Sequence, residues 1–121
     1  MDEAALKEMK KGWQERTQRK DEEENKRRID ARCCAEKVAV LLKEKYGVKK
    51  VYLYGSLVWG KHYTVHSDID LFVEGFPAGA DYWAALAEAD HVAVPFPLNI
   101  VLAENAQQSL HDKVIKEGAP L

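Results

Sequence analysis

The sequence predicts an α/β fold of the α+β kind, one small domain behind a long N-terminal helix, and three observations carry that prediction. Residues 2–46 contain no proline and a single glycine, Gly12, before Gly47 supplies a helix stop. Beyond Gly47, short strand-like runs take turns with runs of helical period. The chain has 121 residues, enough for one modest core and too few to require a second domain.

The first element reads as helix throughout, and unbroken it would be about 65 Å long, so part of it must project or break. Cys34, Val38, Leu41 and Leu42 fall on one helix face, and residues 30–46 are expected to dock on the core. Between Trp13 and Ile29 there is no large apolar residue, and "QERTQRKDEEENKRR" is charged with mixed signs. That segment reads as a solvated helix supported by pairs one turn apart. The chain is therefore divided into a charged helical extension, 1–29, and a domain, 30–121. Leu6, Met9 and Trp13 form a short apolar stripe at i, i+3 and i+7, which a solvated helix does not need. It suggests a homodimer through this helix, another protein partner, or an arm folded back on its own domain.

After Gly47, "VKKVYLY" is a strand with Val51 and Leu53 on one face, "DIDLFV" a second, and "PLNIVL" a third. A short helix follows the first strand. "DYWAALAEAD" is a helix with Asp81 as N-cap and Trp83, Leu86 and Ala87 turned inward. "AQQSLHDKVIKEG" is the last helix, with Leu110, Val114 and Ile115 apolar and Gly118 ending it.

Composition narrows the function classes. With 46% apolar and 31% charged residues, and no apolar run near the length of a membrane span, the sequence predicts no membrane association. Its start lacks the basic-then-apolar order of a signal peptide, and a cytoplasmic location is expected. Residues 1–50 carry 15 Lys/Arg against 11 Asp/Glu, and residues 51–121 carry 3 against 9. Such an acidic second part offers no electrostatic track for long nucleic acid and suits divalent cations better. The adjacent Cys33 and Cys34 make a poor disulfide, have no metal-ligand spacing around them, and are expected to be small buried side chains.

The informative stretch is Val51 to Val73, "VYLYGSLVWGKHYTVHSDIDLFV". Gly55 ends a strand and lets backbone approach a ligand, and the amides that follow, with the Ser56 hydroxyl, can bond phosphate oxygens. Asp68 and Asp70, two apart on a strand, project from one face while Ile69 and Leu71 enter the core. Two anions held together need a cation between them, and magnesium is the expected one, completing its shell with substrate phosphates. Taken singly, "GS" is an ordinary turn and the aspartates a strand edge; together they form a layout for nucleoside triphosphate chemistry.

"YGSLVWG", "SDIDLFV" and "PLNIVL" together resemble the minimal nucleotidyltransferases of the DNA polymerase β superfamily, over about residues 30–121. The resemblance implies a small mixed β-sheet with helices packed against it. Gly55 and Ser56 would hold the triphosphate, and Asp68 and Asp70 would ligate Mg. The reaction implied is transfer of a nucleoside monophosphate, with ATP the expected donor and a small molecule or a protein as acceptor. Two positions depart from the family pattern. Its third carboxylate falls at Asn99, which alternation turns toward the aspartates but which brings no charge and cannot act as a general base. Its frequent arginine falls at Trp59. Lys61 is the candidate replacement cation, Ser67 is grouped with the nucleotide-binding residues, and Asp90 or Glu104 are the candidate replacement carboxylates. His62 and His66 flank the site as loop histidines. The catalytic set is thus Asp68, Asp70 and Asn99. The alternative function is a catalytically weak or inactive nucleotide-binding module, the antitoxin-like partner of a HEPN-domain protein, as the resemblance allows.

Overall fold

The computed structural model describes residues 2–60 and 62–121. Helix α1 runs unbroken over Glu3–Tyr46. Asp2 starts it by accepting a bond from the Ala4 amide. Gly47 ends it in the left-handed conformation at φ 75°, with the Gly47 and Val48 amides both returning to the Leu42 carbonyl. At about 1.5 Å per residue the helix spans roughly 66 Å, so its first half projects. Its second half buries Ala31, Ala35, Val38, Ala39 and Leu42. Cys34 is only half-buried and Cys33 is exposed, so the expected burial of this pair fails at Cys33, which lies off the docked face.

The rest alternates as the sequence predicts: β1 Lys50–Tyr54, α2 Ser56–Trp59, β2 Ile69–Glu74, α3 Tyr82–Ala93, β3 Leu98–Leu102 and α4 Gln108–Glu117. A 3-10 turn over Ala103–Asn105 and a two-residue strand, β4 Ala119–Pro120, were not anticipated. The four strands form one mixed sheet in the order β3-β2-β1-β4. Strand β1 is antiparallel to both neighbours, and β2 and β3 run parallel, joined by α3 as the crossover.

Strand alternation divides the sheet into two unlike faces. Val51, Leu53, Ile69, Leu71 and Val73 are buried on one face, with Leu98, Ile100 and Leu102 of β3 packed against the same core as α1 and α3. Helix α3 meets that core through Ala85, Ala89 and Ala93, not through Trp83, which is 77% exposed. The expected inward face was wrong by about one residue. Three alanines bring the two helices close, where an inward Trp83 would hold them apart. Tyr52, Tyr54, Asp70 and Phe72 point to the other face, along with Asn99. Helix α4 covers the far part of that face, burying Val114 and setting the His111 ring 5.6 Å from Phe72. The near part, at Asp70 and Asn99, is left for other work.

Candidate functional site

The open end of the second face is built by three adjacent segments. Ile69 begins β2, anchored by its amide bonding the Pro97 carbonyl at 2.8 Å, and Asp68 immediately precedes it. Asp70 sits opposite Tyr54 on β1 and opposite Asn99 on β3. The Asn99 amide nitrogen donates to Asp68 Oδ2 at 3.0 Å and to Asp70 Oδ1 at 3.2 Å. One neutral donor thus bridges two carboxylates, where a cation would otherwise be needed. Burial pushes the Asp70 carboxyl above its ordinary range; the Asn99 bond opposes this and the Asp68 charge adds to it. Burial, then Asp70, also raises the Tyr54 phenol.

The turn after β1 leans directly onto this pair. Gly55 has φ 76° and ψ −151°, a conformation confined in practice to glycine, and a Cβ there would lie 2.3 Å from Asp70 Oδ2. No side chain fits between this backbone and the carboxylate. At Gly60 a Cβ would lie 2.6 Å from the Ser56 carbonyl oxygen, so both ends of α2 are closed by glycine. The Ser56 and Leu57 amides stand in the first turn of α2, where backbone donors have no partner within the helix.

A family model described as "Polymerase beta, Nucleotidyltransferase" matches residues 36–121. The chain belongs to this family. None of the curated proteins matches it. The nucleotidyltransferase match begins inside α1 and takes in the turn, both aspartates and Asn99, leaving the projecting part of the helix outside it.

Neither carboxylate expected to compensate for the nucleotidyltransferase departures joins the site. Asp90 is exposed on α3, which covers the opposite face of the sheet from Asn99. Glu104 lies in the 3-10 turn after β3, beyond Leu102, which is already about 10 Å along the strand from Asn99 at about 3.3 Å per residue. Lys61 lies outside the described residues. Among the described residues no group of three or more His, Cys, Asp or Glu is arranged to hold a metal ion. Ser67 turns its oxygen inward, accepting from the Thr64 amide at 3.0 Å and shaping the loop that leads to Asp68. His62 bonds Glu24 of α1 at 3.0 Å, and His66 is exposed. Trp59 donates its indole N–H to the Glu117 carbonyl at 3.2 Å and carries Lys113 of α4 over its ring at 4.4 Å. A cation therefore does stand beside α2, brought by α4 rather than by α2 itself.

Two residues of the site region gave no signal in the sequence. Tyr63 is fully buried, its ring 6.4 Å from Phe96, and its hydroxyl has no hydrogen-bond partner among the described residues. Burial, followed by the charges of Asp68 and Asp70, pushes this phenol up to about 12, with Arg28 opposing. Arg28 reaches from α1 to the carbonyls of α2, at 2.8 Å from Leu57 and 3.1 Å from Gly60. Neither residue belongs to a motif, and Arg28 sits inside a charged run that reads as solvated.

The donor set fits magnesium. Asp68 and Asp70 supply charged oxygens on one face, Gly55 brings the backbone of the turn against Asp70, and the Asn99 amide nitrogen lies between the two carboxylates. Magnesium takes few protein ligands and leaves positions for phosphate oxygens. A magnesium ion there would be held by the two carboxylates in place of the Asn99 N–H donor.

Proposed function

We propose that this chain is a minimal nucleotidyltransferase that binds a nucleoside triphosphate, ATP foremost, with Mg, and transfers the nucleoside monophosphate to a small-molecule or protein acceptor. The observation that carries the reading is the contact of Gly55 with Asp70, since it sets a backbone able to cradle phosphates directly against a carboxylate pair able to hold their counter-ion. Asp68 and Asp70 are assigned as the metal ligands and Gly55 and Ser56 as the triphosphate turn. Bound Mg would neutralise phosphate charge and favour ionisation of the acceptor hydroxyl. The chain's own part is to hold the α-phosphorus in line between the acceptor oxygen and the pyrophosphate that departs. The acceptor oxygen forms the new bond to phosphorus, the bond to the bridging oxygen of pyrophosphate breaks, and the acceptor proton leaves to solvent.

A second reading is favoured by Asn99: a nucleotide-binding module of weak or no transfer activity, paired with a HEPN-domain protein as its antitoxin-like partner. The exposed Leu6, Met9 and Trp13, on the projecting half of α1, are proposed as the surface that meets that protein or a second copy of this chain. Incubation with each α-labelled ribonucleoside triphosphate and magnesium, with and without a HEPN-domain protein, separates the readings. The first predicts pyrophosphate release and label on an acceptor. Saturable nucleotide binding with no label transferred under any condition would leave only the second.

A further inference from the structure

We infer that Arg28 is a positioning residue that holds the Gly55–Ser56 turn against Asp70, an assignment that rests on the nucleotidyltransferase reading. Helix α2 is a single turn, too short to be stable on its own bonds, and its closing carbonyls need donors from elsewhere. Arg28 supplies them. Its Nη1 donates to the Leu57 carbonyl at 2.8 Å, with the Ser56 carbonyl at 3.5 Å, and its Nη2 donates to the Gly60 carbonyl at 3.1 Å. The guanidinium lies 5.8 Å from the centre of the buried Tyr63 ring. Glu24, one turn earlier on α1 and able to pair with Arg28, bonds His62 instead, which leaves the fork to the backbone.

The geometry asks for arginine rather than for any cation. Two carbonyls three residues apart are met by the two terminal nitrogens of one planar group, which a single ammonium cannot reproduce. Positive charge at the C-terminal end of a helical turn is also favourable. Because α1 is rigid and docked through Ala31 to Leu42, Arg28 ties the turn to the body of the domain. The turn has little freedom to drift, since its other end, Gly55, already lies against Asp70. Arg28 touches neither carboxylate and acts through α2.

The test uses the full chain with Arg28→Lys and Arg28→Ala, and Arg32→Lys as a control, since Arg32 is exposed and among the described residues pairs only with Glu36. Affinity for ATP with magnesium is measured by calorimetry, and the backbone amide signals of residues 55–60 are followed by NMR in the nucleotide-free protein. Arg28→Lys is expected to weaken ATP by about 10-fold, with melting within about 3 °C of the parent. The signals of residues 55–60 should move while those of 35–42 stay. Added guanidinium ion should restore part of the affinity of Arg28→Ala. Affinity equal to the Arg32→Lys control, or unmoved signals at 55–60, would overturn the assignment. Should the parent chain bind no triphosphate, the functional reading fails separately, and a shift confined to 55–60 would still uphold Arg28 as the residue that holds the turn.

Discussion

At Asn99 a neutral amide stands where the family pattern places a third carboxylate, donating to Asp68 and Asp70 together. Alternation along "PLNIVL" was enough to turn this side chain toward the aspartates, because a strand of period two leaves only two faces. What alternation could not show is that the amide would face the pair as a donor. Replacing it with carboxylate removes both bonds and adds a third negative charge, so Asn99→Asp should be less stable than the parent in chelator and recover with magnesium. With the acceptor present, the same substitution should raise transfer by roughly 10-fold or more, up to the 10²–10⁴ typical of general-base assistance, with a smaller change in nucleotide affinity. Steady-state transfer rates and binding isotherms on the two chains check this. A parent already turning over several times per second, or a variant that gains nothing, would remove Asn99 from the third position. Arg28 and Tyr63 were illegible for a different reason: Arg28 meets the carbonyls of Leu57 and Gly60, about thirty positions away, and Tyr63 packs on the equally distant Phe96, contacts that no local pattern encodes.

Helix α1 shows how far the element scale could be read. Its two halves were legible as different, since the apolar face begins only near residue 31, but continuity was not, because charged residues favour helix without requiring it to be straight. The structure carries it unbroken to Glu3. Helix α3 was placed correctly and turned wrongly, because Trp83 draws more attention in a hydrophobic pattern than three alanines do. The two-residue β4 lies below the length at which alternation can be seen at all. Among the described residues, no hydrogen bond or ion pair ties residues 2–20 to the domain, and the first cross-links are those of Glu24 and Arg28. Removing residues 1–20 should therefore leave the melting temperature within about 3 °C of the parent while abolishing any self-association or partner binding through Leu6, Met9 and Trp13. Sedimentation velocity of both chains, alone and with a HEPN-domain protein, decides it. Unchanged association would take the stripe out of any interface, and a large loss of stability would show that the projecting half supports the fold.

For the whole molecule, the sheet divides the work. One face carries the apolar core under α1 and α3, and the other carries Phe72 under α4 and leaves Asp70 and Asn99 at its uncovered end. The order of elements was legible because Gly47, Gly55 and the prolines before β3 punctuate strongly periodic segments, whereas the mixed sheet was implied only by the family resemblance. No helix among the described residues is long and apolar enough to cross a membrane. The central claim is that a divalent cation held by Asp68 and Asp70 joins the triphosphate to the Gly55 turn. Calorimetry of ATP binding in magnesium and in chelator, on the parent chain and on Asp70→Asn, tests it most directly. The parent should bind at least about 10-fold more tightly with magnesium than in chelator, and Asp70→Asn should lose that difference. Tight binding in chelator, unchanged by the substitution, would contradict the two-aspartate metal site.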